Sequence, residues 1–82
     1  MLNINKIVGL VELSKETGAN IDVNIHEFVG KKEALEFAEE LFQLLNVEFV
    51  EDKAETVGWF ATNINDCNIT VFFKLEVVEH VG

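Results

Sequence analysis

Residues 31–45, KKEALEFAEELFQLL, form the most regular stretch of the chain, because their apolar positions recur with the period of an α-helix. At about 100° per residue, apolar side chains collect on one side of this helix and acidic side chains on the other. Phe37 and Leu44 widen the apolar arc to about half of the cylinder, so we expect the helix to touch the first helix or a partner in addition to the sheet. The predicted buried positions are Ala34, Leu35, Ala38, Leu41, Phe42 and Leu45.

A second helix is predicted upstream, over residues 4–17. Asn3 is suited to cap its N-terminus, and Gly18 is suited to the left-handed position that ends many helices. Between the two helices, residues 20–28 alternate between apolar and polar side chains, which is typical of a half-buried strand. The apolar face of the upstream helix consists of Ile4, Ile7, Val8, Leu10 and Val11.

Three further strands are predicted after the second helix, at residues 47–50, about 56–62 and 69–78. Turns at residues 51–55 and 63–68 separate them, because polar and Asn/Asp-rich segments favour turns. In the last strand, alternate positions form a core face. The members of that face are Ile69, Val71, Phe73, Leu75 and Val77.

The order α-β-α-β-β-β predicts an α+β fold in a single domain, residues 1–82, built as a two-layer sandwich. Both helices should cover one face of a mixed four-stranded sheet. The strand–helix–strand unit is expected to be a right-handed crossover with parallel strands, and the last three strands an antiparallel meander. The other sheet face is open to water, and it is predicted to carry Asp22, Asn24, His26, Glu48, Thr70, Phe72, Lys74 and Glu76, with Trp59 or Phe60 according to the register.

Charge is the most informative property of the composition. Fifteen acidic residues oppose six lysines, arginine is absent, and the formal net charge is −9. Direct binding to nucleic acid or to an anionic membrane is disfavoured, because neutralising phosphates requires clustered cations. The expected partner is a basic protein, with the basic grooves of nucleic-acid-handling enzymes as the leading example. The alternative is that the negative charge only keeps the domain in solution.

The remaining composition favours a cytoplasmic protein. Cys67 is the single cysteine and cannot form an internal disulfide, which fits a reducing compartment. The N-terminal segment makes a poor signal peptide, because Asn3, Asn5 and Gly9 interrupt its apolar run. No stretch approaches the ~20 apolar residues of a membrane helix. Lysine without arginine, together with eight asparagines, favours an AT-rich bacterial or phage genome.

Residues that could carry catalysis or bind metal are few, so we expect no enzymatic activity, metal or cofactor. His26 and Glu27 are neighbours on a strand and point to opposite faces, so they cannot share a metal ion. Glu36 and Glu40 lie on a convex helix face, whereas paired catalytic carboxylates need a desolvated cleft. No known nucleophile motif includes any of the remaining candidates, which are Cys67, Ser14, His26 and His80.

The acidic row of the second helix is the leading candidate for a binding surface, and a solvated helix face is the alternative. Carboxylates about one helical turn apart present negative charge at a spacing comparable to successive phosphates, so such a row can occupy a basic groove. Phe72 is predicted to be an exposed aromatic anchor among polar neighbours. The predicted partner-binding residues are Glu33, Glu36, Glu39, Glu40, Glu48, Glu51, Asp52 and Phe72.

No family motif matches the chain residue by residue. In type, an acidic α+β chain of 82 residues resembles small phage-encoded inhibitors such as anti-CRISPR proteins, anti-restriction proteins and uracil-DNA glycosylase inhibitors, and nuclease-immunity proteins such as barstar. This resemblance implies a stoichiometric inhibitor that blocks a basic nucleic-acid-handling enzyme. The alternative is a small homo-oligomeric structural or accessory protein that dimerises through its open sheet face or its wide second helix.

Overall fold

The computed structural model describes residues 3–75, and these form two α-helices and four β-strands in the expected order. The helices are α1, Ile4–Thr17, and α2, Lys31–Leu44. The strands are β1, Ile21–Ile25, β2, Val50–Lys53, β3, Val57–Ile64, and β4, Cys67–Lys74. The α+β fold with a mixed four-stranded sheet is confirmed.

The strand order in the sheet is β1-β4-β3-β2. β4 pairs in parallel with β1, with Val23 opposite Ile69, and antiparallel with β3, with Trp59 opposite Phe72. β3 pairs antiparallel with β2, which confirms the predicted meander of the last three strands. β1 and β2 run in the same direction, as expected, but they lie at opposite edges of the sheet with two strands between them.

The core lies between the helices and one face of the sheet. Both helices contact β4, whose buried residues alternate with more exposed ones as a strand with one covered face requires. A chain of aromatic contacts crosses the core from Phe42 of α2 through Phe49 and Phe60 to Phe73, with ring centroids 5.0, 5.6 and 5.0 Å apart. The buried apolar residues are Ile7, Val11, Ile25, Ala34, Ala38, Leu41, Phe42, Phe60, Cys67, Ile69, Val71 and Phe73.

The ends of α1 confirm the predicted caps. The Asn3 side-chain oxygen accepts a hydrogen bond of 2.8 Å from the backbone N–H of Asn5. Gly18 has a φ of 71°, which favours glycine, and its N–H donates to the Ser14 carbonyl oxygen at 2.8 Å. The predicted apolar face was too wide, because Leu10 is 37% exposed. The stripe that contacts the sheet runs through Ile7, Val11 and Ser14.

The position of β2 differs from the prediction. Residues 47–50 were expected to form the strand and residues 51–55 a turn, whereas the strand is Val50–Lys53. Val47 and Phe49 pack against the core from the connection after α2, so their hydrophobicity reflects core filling and not strand formation. All four residues of β2 are exposed, which shows that pairing with β3 and not burial defines this edge strand.

The turn between β3 and β4 is shorter than predicted. Residues 63–68 were expected to be a turn, but only Asn65 and Asp66 connect the two strands, and Ile64 pairs with Cys67. Asn65 has a φ of 54°, a left-handed conformation that asparagine tolerates. The predicted strand 69–78 therefore begins earlier and ends at Lys74, while its residues from Glu76 onward lie outside the described range.

We expect Phe42→Ala to destabilise the fold by about 3–5 kcal/mol, because the deleted ring leaves a cavity between α2 and the sheet. Phe42 is 1% exposed and contacts Phe49. Leu44→Ala is the matched control on the same helix, since Leu44 is 59% exposed and should cost less than about 0.5 kcal/mol. Urea denaturation followed by circular dichroism measures both free energies. Equal losses in the two variants would show that the helical phase is wrong.

Gly58 should not tolerate a side chain. It lies opposite Phe73, and an added Cβ would approach the ring carbon Cε2 to 2.6 Å. Phe73 is 2% exposed and its ring packs against that of Phe60 at an angle of 31°, so the ring has no free space to enter. We expect Gly58→Ala to lower the free energy of unfolding by about 1–3 kcal/mol. Gly9→Ala, at an exposed position of α1 with no heavy atom within 4 Å of the new Cβ, should instead raise it by up to about 1 kcal/mol.

Candidate protein-binding surfaces

The acidic row of α2 lies on the side of the helix that faces away from the sheet. Ala34 and Ala38 are 0% exposed against the core, and this packing sets the rotation of the helix. The carboxylates on the outer side therefore project into solvent from a fixed base. At 1.5 Å rise per residue, Glu36 and Glu40 start about 6 Å apart along the axis. The exposed acids of α2 are Glu33, Glu36, Glu39 and Glu40.

Positive charge neutralises little of this row. Within residues 3–75 the one ion pair joins the Lys31 Nζ to the Glu51 Oε2 at 2.8 Å, so it uses a lysine of α2 to hold an acid of β2. Both side chains are about half exposed, and such pairs contribute roughly 0–1 kcal/mol. None of the four acids of α2 has an ion-pair partner in the described range.

The charges of α2 are not arranged to stabilise the helix. Lys31 and Lys32 occupy the first turn, where the helix dipole favours acids, although Glu33 is also there. The last turn carries no basic residue, and Gly30 at the N-cap makes no side-chain hydrogen bond. Each unfavourable charge near a helix end costs about 0.3–1 kcal/mol. Helix stability therefore does not explain the charge order of α2.

The eight predicted partner-binding residues do not form one surface. Glu48 is exposed in the connection between α2 and β2, so it is not on the open sheet face where it was predicted. Glu51 lies opposite Phe60 on the helix-covered side of β2. Asp52 lies opposite Trp59, and Trp59 is paired with Phe72, so Asp52 and Phe72 share the open face. The acids of α2 project from the other side of the molecule.

An aromatic row crosses the open face of the sheet at one end. The rings of His26 and Phe72 are stacked, with centroids 4.4 Å apart and an interplanar angle of 5°. The ring of Trp59 lies 6.1 Å from that of Phe72 at an angle of 57°. His26 is exposed, while Phe72 and Trp59 are half-buried. The row continues to Asp52 on β2, so one line of side chains runs His26–Phe72–Trp59–Asp52, from the residue that follows β1 across β4 and β3 to β2.

The sequence left the membership of this row incomplete. The alternation in 20–28 placed His26 on the open face, but it gave no neighbour for it. Trp59 and Phe60 are adjacent, so the pattern alone could not decide which of them faces the core. The pairing of Trp59 with Phe72 places Trp59 on the open face, and Phe60 is 1% exposed in the core. Phe72 is neither fully buried nor isolated, because His26 and Trp59 contact it.

A polar ladder crosses the other end of the open face. The Asn63 side-chain amide donates to the Asn68 side-chain oxygen, and the Asn68 amide donates to the Asp22 Oδ1 at 2.8 Å. These residues lie on β3, β4 and β1, so the ladder ties three strands together. Asparagines that suggested a long turn in the sequence are therefore cross-strand partners.

Two of the four candidate nucleophiles, Cys67 and Ser14, are enclosed in the fold, whereas His26 is exposed. Cys67 is 0% exposed at the start of β4, where desolvation by burial, and then the nearby charge of Asp22, raise the pKa of its thiol above the ordinary value of 9.0. Ser14 is 1% exposed, and its hydroxyl donates to the Ala19 carbonyl oxygen at 2.7 Å. His80 lies outside the described residues.

Among residues 3–75 no group of His, Cys, Asp and Glu side chains could hold a metal ion. No helix in that range is long and apolar enough to cross a membrane.

The thiol of Cys67 should make the fold less stable at alkaline pH. The unfolded chain releases this proton once the pH passes the ordinary thiol pKa of 9.0, while the folded chain retains it. The free energy of unfolding should therefore fall as the pH rises above that value, and Cys67→Ala should remove this part of the dependence. Denaturation curves of both proteins between pH 7 and pH 10 measure the difference. Native Cys67 should also react with iodoacetamide far more slowly than the denatured chain.

Comparison with known proteins matches no protein family model, no curated protein and no solved structure to this chain. Two surfaces of the molecule carry distinctive charges and contacts: the acidic outer side of α2, and the open sheet face with its aromatic row.

Proposed function

We propose that the protein is a non-catalytic inhibitor that binds a basic, nucleic-acid-handling enzyme in the cytoplasm and blocks it, as phage-encoded anti-restriction and anti-CRISPR proteins do. The observation that carries this proposal is the row of four solvent-facing glutamates on α2, none with an ion-pair partner among residues 3–75. A surface of this sign attracts a basic partner and repels nucleic acid.

The row has the geometry that a nucleic-acid mimic needs. Glu33, Glu36 and Glu40 follow one another at intervals of three and four residues, about 4.5 and 6 Å along a rod whose rotation is set by core packing. A basic groove that binds successive phosphates can therefore meet a regular series of negative charges. Because the helix is already folded, binding does not incur the entropy of ordering it.

The charge order of α2 supports a role for these charges beyond solubility. The first turn contains two lysines and the last turn no basic residue, an arrangement that does not complement the helix dipole. Departures from local stability rules are expected at functional sites. The two lysines of the first turn also favour contact of a basic partner with the part of α2 beyond that turn, where Glu36, Glu39 and Glu40 lie.

The alternative is a small homo-oligomeric accessory protein without catalytic activity. The observation that favours it is the half-buried aromatic pair Trp59 and Phe72 on the open sheet face. Salt separates the two roles, because a complex held by the α2 row weakens as salt screens its charges, whereas an apolar contact does not.

Neutralising the row should weaken capture of the partner while leaving the fold intact. We expect the triple variant Glu36→Gln, Glu39→Gln, Glu40→Gln to lose at least ten-fold in affinity, mostly through a slower association rate. The matched control removes the same charge from exposed positions elsewhere, with Glu12→Gln, Glu16→Gln and Glu55→Gln. Each protein is immobilised, exposed to a nuclease-treated bacterial lysate at 50 mM salt, and washed. The bound proteins are then identified by mass spectrometry, and their association rates are measured.

The proposal also requires the captured protein to be released both by 500 mM salt and by an excess of a 30-base-pair DNA duplex, since the duplex and the α2 row would compete for one groove. Capture that the triple Gln variant retains would contradict a role for the row. Capture that the duplex leaves unchanged would contradict nucleic-acid mimicry.

A further inference from the structure

We propose that the open sheet face binds a second copy of this chain, in a two-fold dimer whose axis runs parallel to the strands between β4 and β3. This proposal does not depend on the inhibitor role. It rests on the aromatic row of the open face, on the small net charge of that face, and on the complementarity between the rows of two copies that this axis relates.

The open face is nearly neutral in a strongly acidic chain. Its strands present two carboxylates, Asp22 and Asp52, against one ammonium, Lys74, which leaves one net negative charge on this face compared with −9 for the whole chain. Asp22 is also held by the Asn68 amide at 2.8 Å. Two copies can therefore meet through this face without placing the acids of α2 against each other.

Long-range repulsion between the copies is small in this arrangement. Facing sheets are about 10 Å apart, and each α2 lies a further ~10 Å beyond its own sheet, so the two acidic rows are on the order of 30 Å apart. The Debye length is about 8 Å at physiological salt. The separation exceeds the screening length several-fold, so the net charge does not prevent this contact.

The aromatic row is complementary to itself about the proposed axis. A rotation of 180° about a line between β4 and β3 reverses the order His26–Phe72–Trp59–Asp52. Phe72 of one copy then faces Trp59 of the other, and His26 faces Asp52. In the adjacent row, Thr70 faces Ala61. Each member of the row therefore meets a partner of suitable chemistry, with an aromatic ring facing a ring at the middle and a carboxylate facing an imidazole at each end.

The size of the face predicts a dimer of moderate affinity. With strands of 4 to 8 residues, 3.3 Å per residue and ~4.8 Å between strands, the footprint is roughly 400 Å² per copy. Stable interfaces usually bury about 800 Å² of accessible surface per partner, and rough side chains make the buried surface larger than the footprint. We therefore expect dissociation in the micromolar range and a concentration-dependent mixture of monomer and dimer.

Trp59 is the single tryptophan of the chain and lies in the proposed interface, so its fluorescence reports the contact directly. Sedimentation velocity and Trp59 emission are measured from 1 to 500 µM. The expected result is a shift from monomer to dimer, with emission moving to shorter wavelength as the ring loses water. A monomer at 500 µM, or emission that does not change with concentration, would overturn the proposal.

Thr70→Lys places a charge at the centre of the interface, on a strand position that is half-exposed in the monomer. We expect it to weaken dimerisation at least thirty-fold, with an unchanged circular dichroism spectrum. At every concentration its Trp59 emission should match that of the dilute, unsubstituted protein. Gln43→Lys makes the same charge change on the exposed side of α2 and should leave the dimer intact. If Thr70→Lys dimerises as tightly as Gln43→Lys, the contact lies elsewhere, such as at a strand edge, and the proposal is wrong.

If Thr70→Lys fails to fold, milder substitutions at two adjacent residues of β2 test the same interface. Asp52→Asn removes the proposed partner of His26, whereas Glu51→Gln changes the preceding residue, whose side chain lies on the helix-covered side. We expect about a five-fold weaker dimer for Asp52→Asn and less than a two-fold change for Glu51→Gln. Equal effects would overturn the proposed axis.

Discussion

The packing of the two helices onto the inward side chains of β4 determines both surfaces of the molecule. Ile69 and Val71 are fully buried at the centre of that strand, so the intervening Thr70 and Phe72 must face the other way. On α2, Ala34 and Ala38 have no exposed surface, and their small size lets the helix lie close to the sheet. The same contact that buries one side of each element therefore presents the acids of α2 and the aromatic row.

Much of the fold was predictable because its signals are local. The helical period of 31–45 identified the buried side of α2, and Asn3 and Gly18 marked the ends of α1. The strand positions were harder, because edge strands are defined by pairing. Val47 and Phe49 are apolar but fill the core from a connection, while the polar residues after them pair with β3. No local pattern distinguishes an apolar residue that fills the core from a connection from an apolar residue that belongs to a strand.

The candidate surfaces show the same division between local and long-range information. The row on α2 followed from helical spacing alone, so its four glutamates were assigned to one side from the sequence, and their exposure agrees with that assignment. The members of the aromatic row on the open face depend on the register of the strands, and only the strand pairing fixes that register. Trp59 and His26 meet Phe72 because β3 and β1 flank β4 on its two sides, although His26, just after β1, is far from Trp59 along the chain. Glu48 and Glu51 were grouped with Asp52 by sequence proximity, and alternation along β2 separated Glu51 from it.

The parallel pairing of β1 with β4 has a consequence for the order of folding during synthesis. Ile21 pairs with Cys67, so the strand made early must wait for the last of the described strands before it gains a neighbour. β2, β3 and β4 instead have pairing partners nearby in the sequence, because short connections join them. Local contacts form faster than distant ones because they close smaller loops. On the ribosome, α1 and β1 therefore remain without their sheet until Lys74 has emerged from the exit tunnel, and the chain completes its core only then.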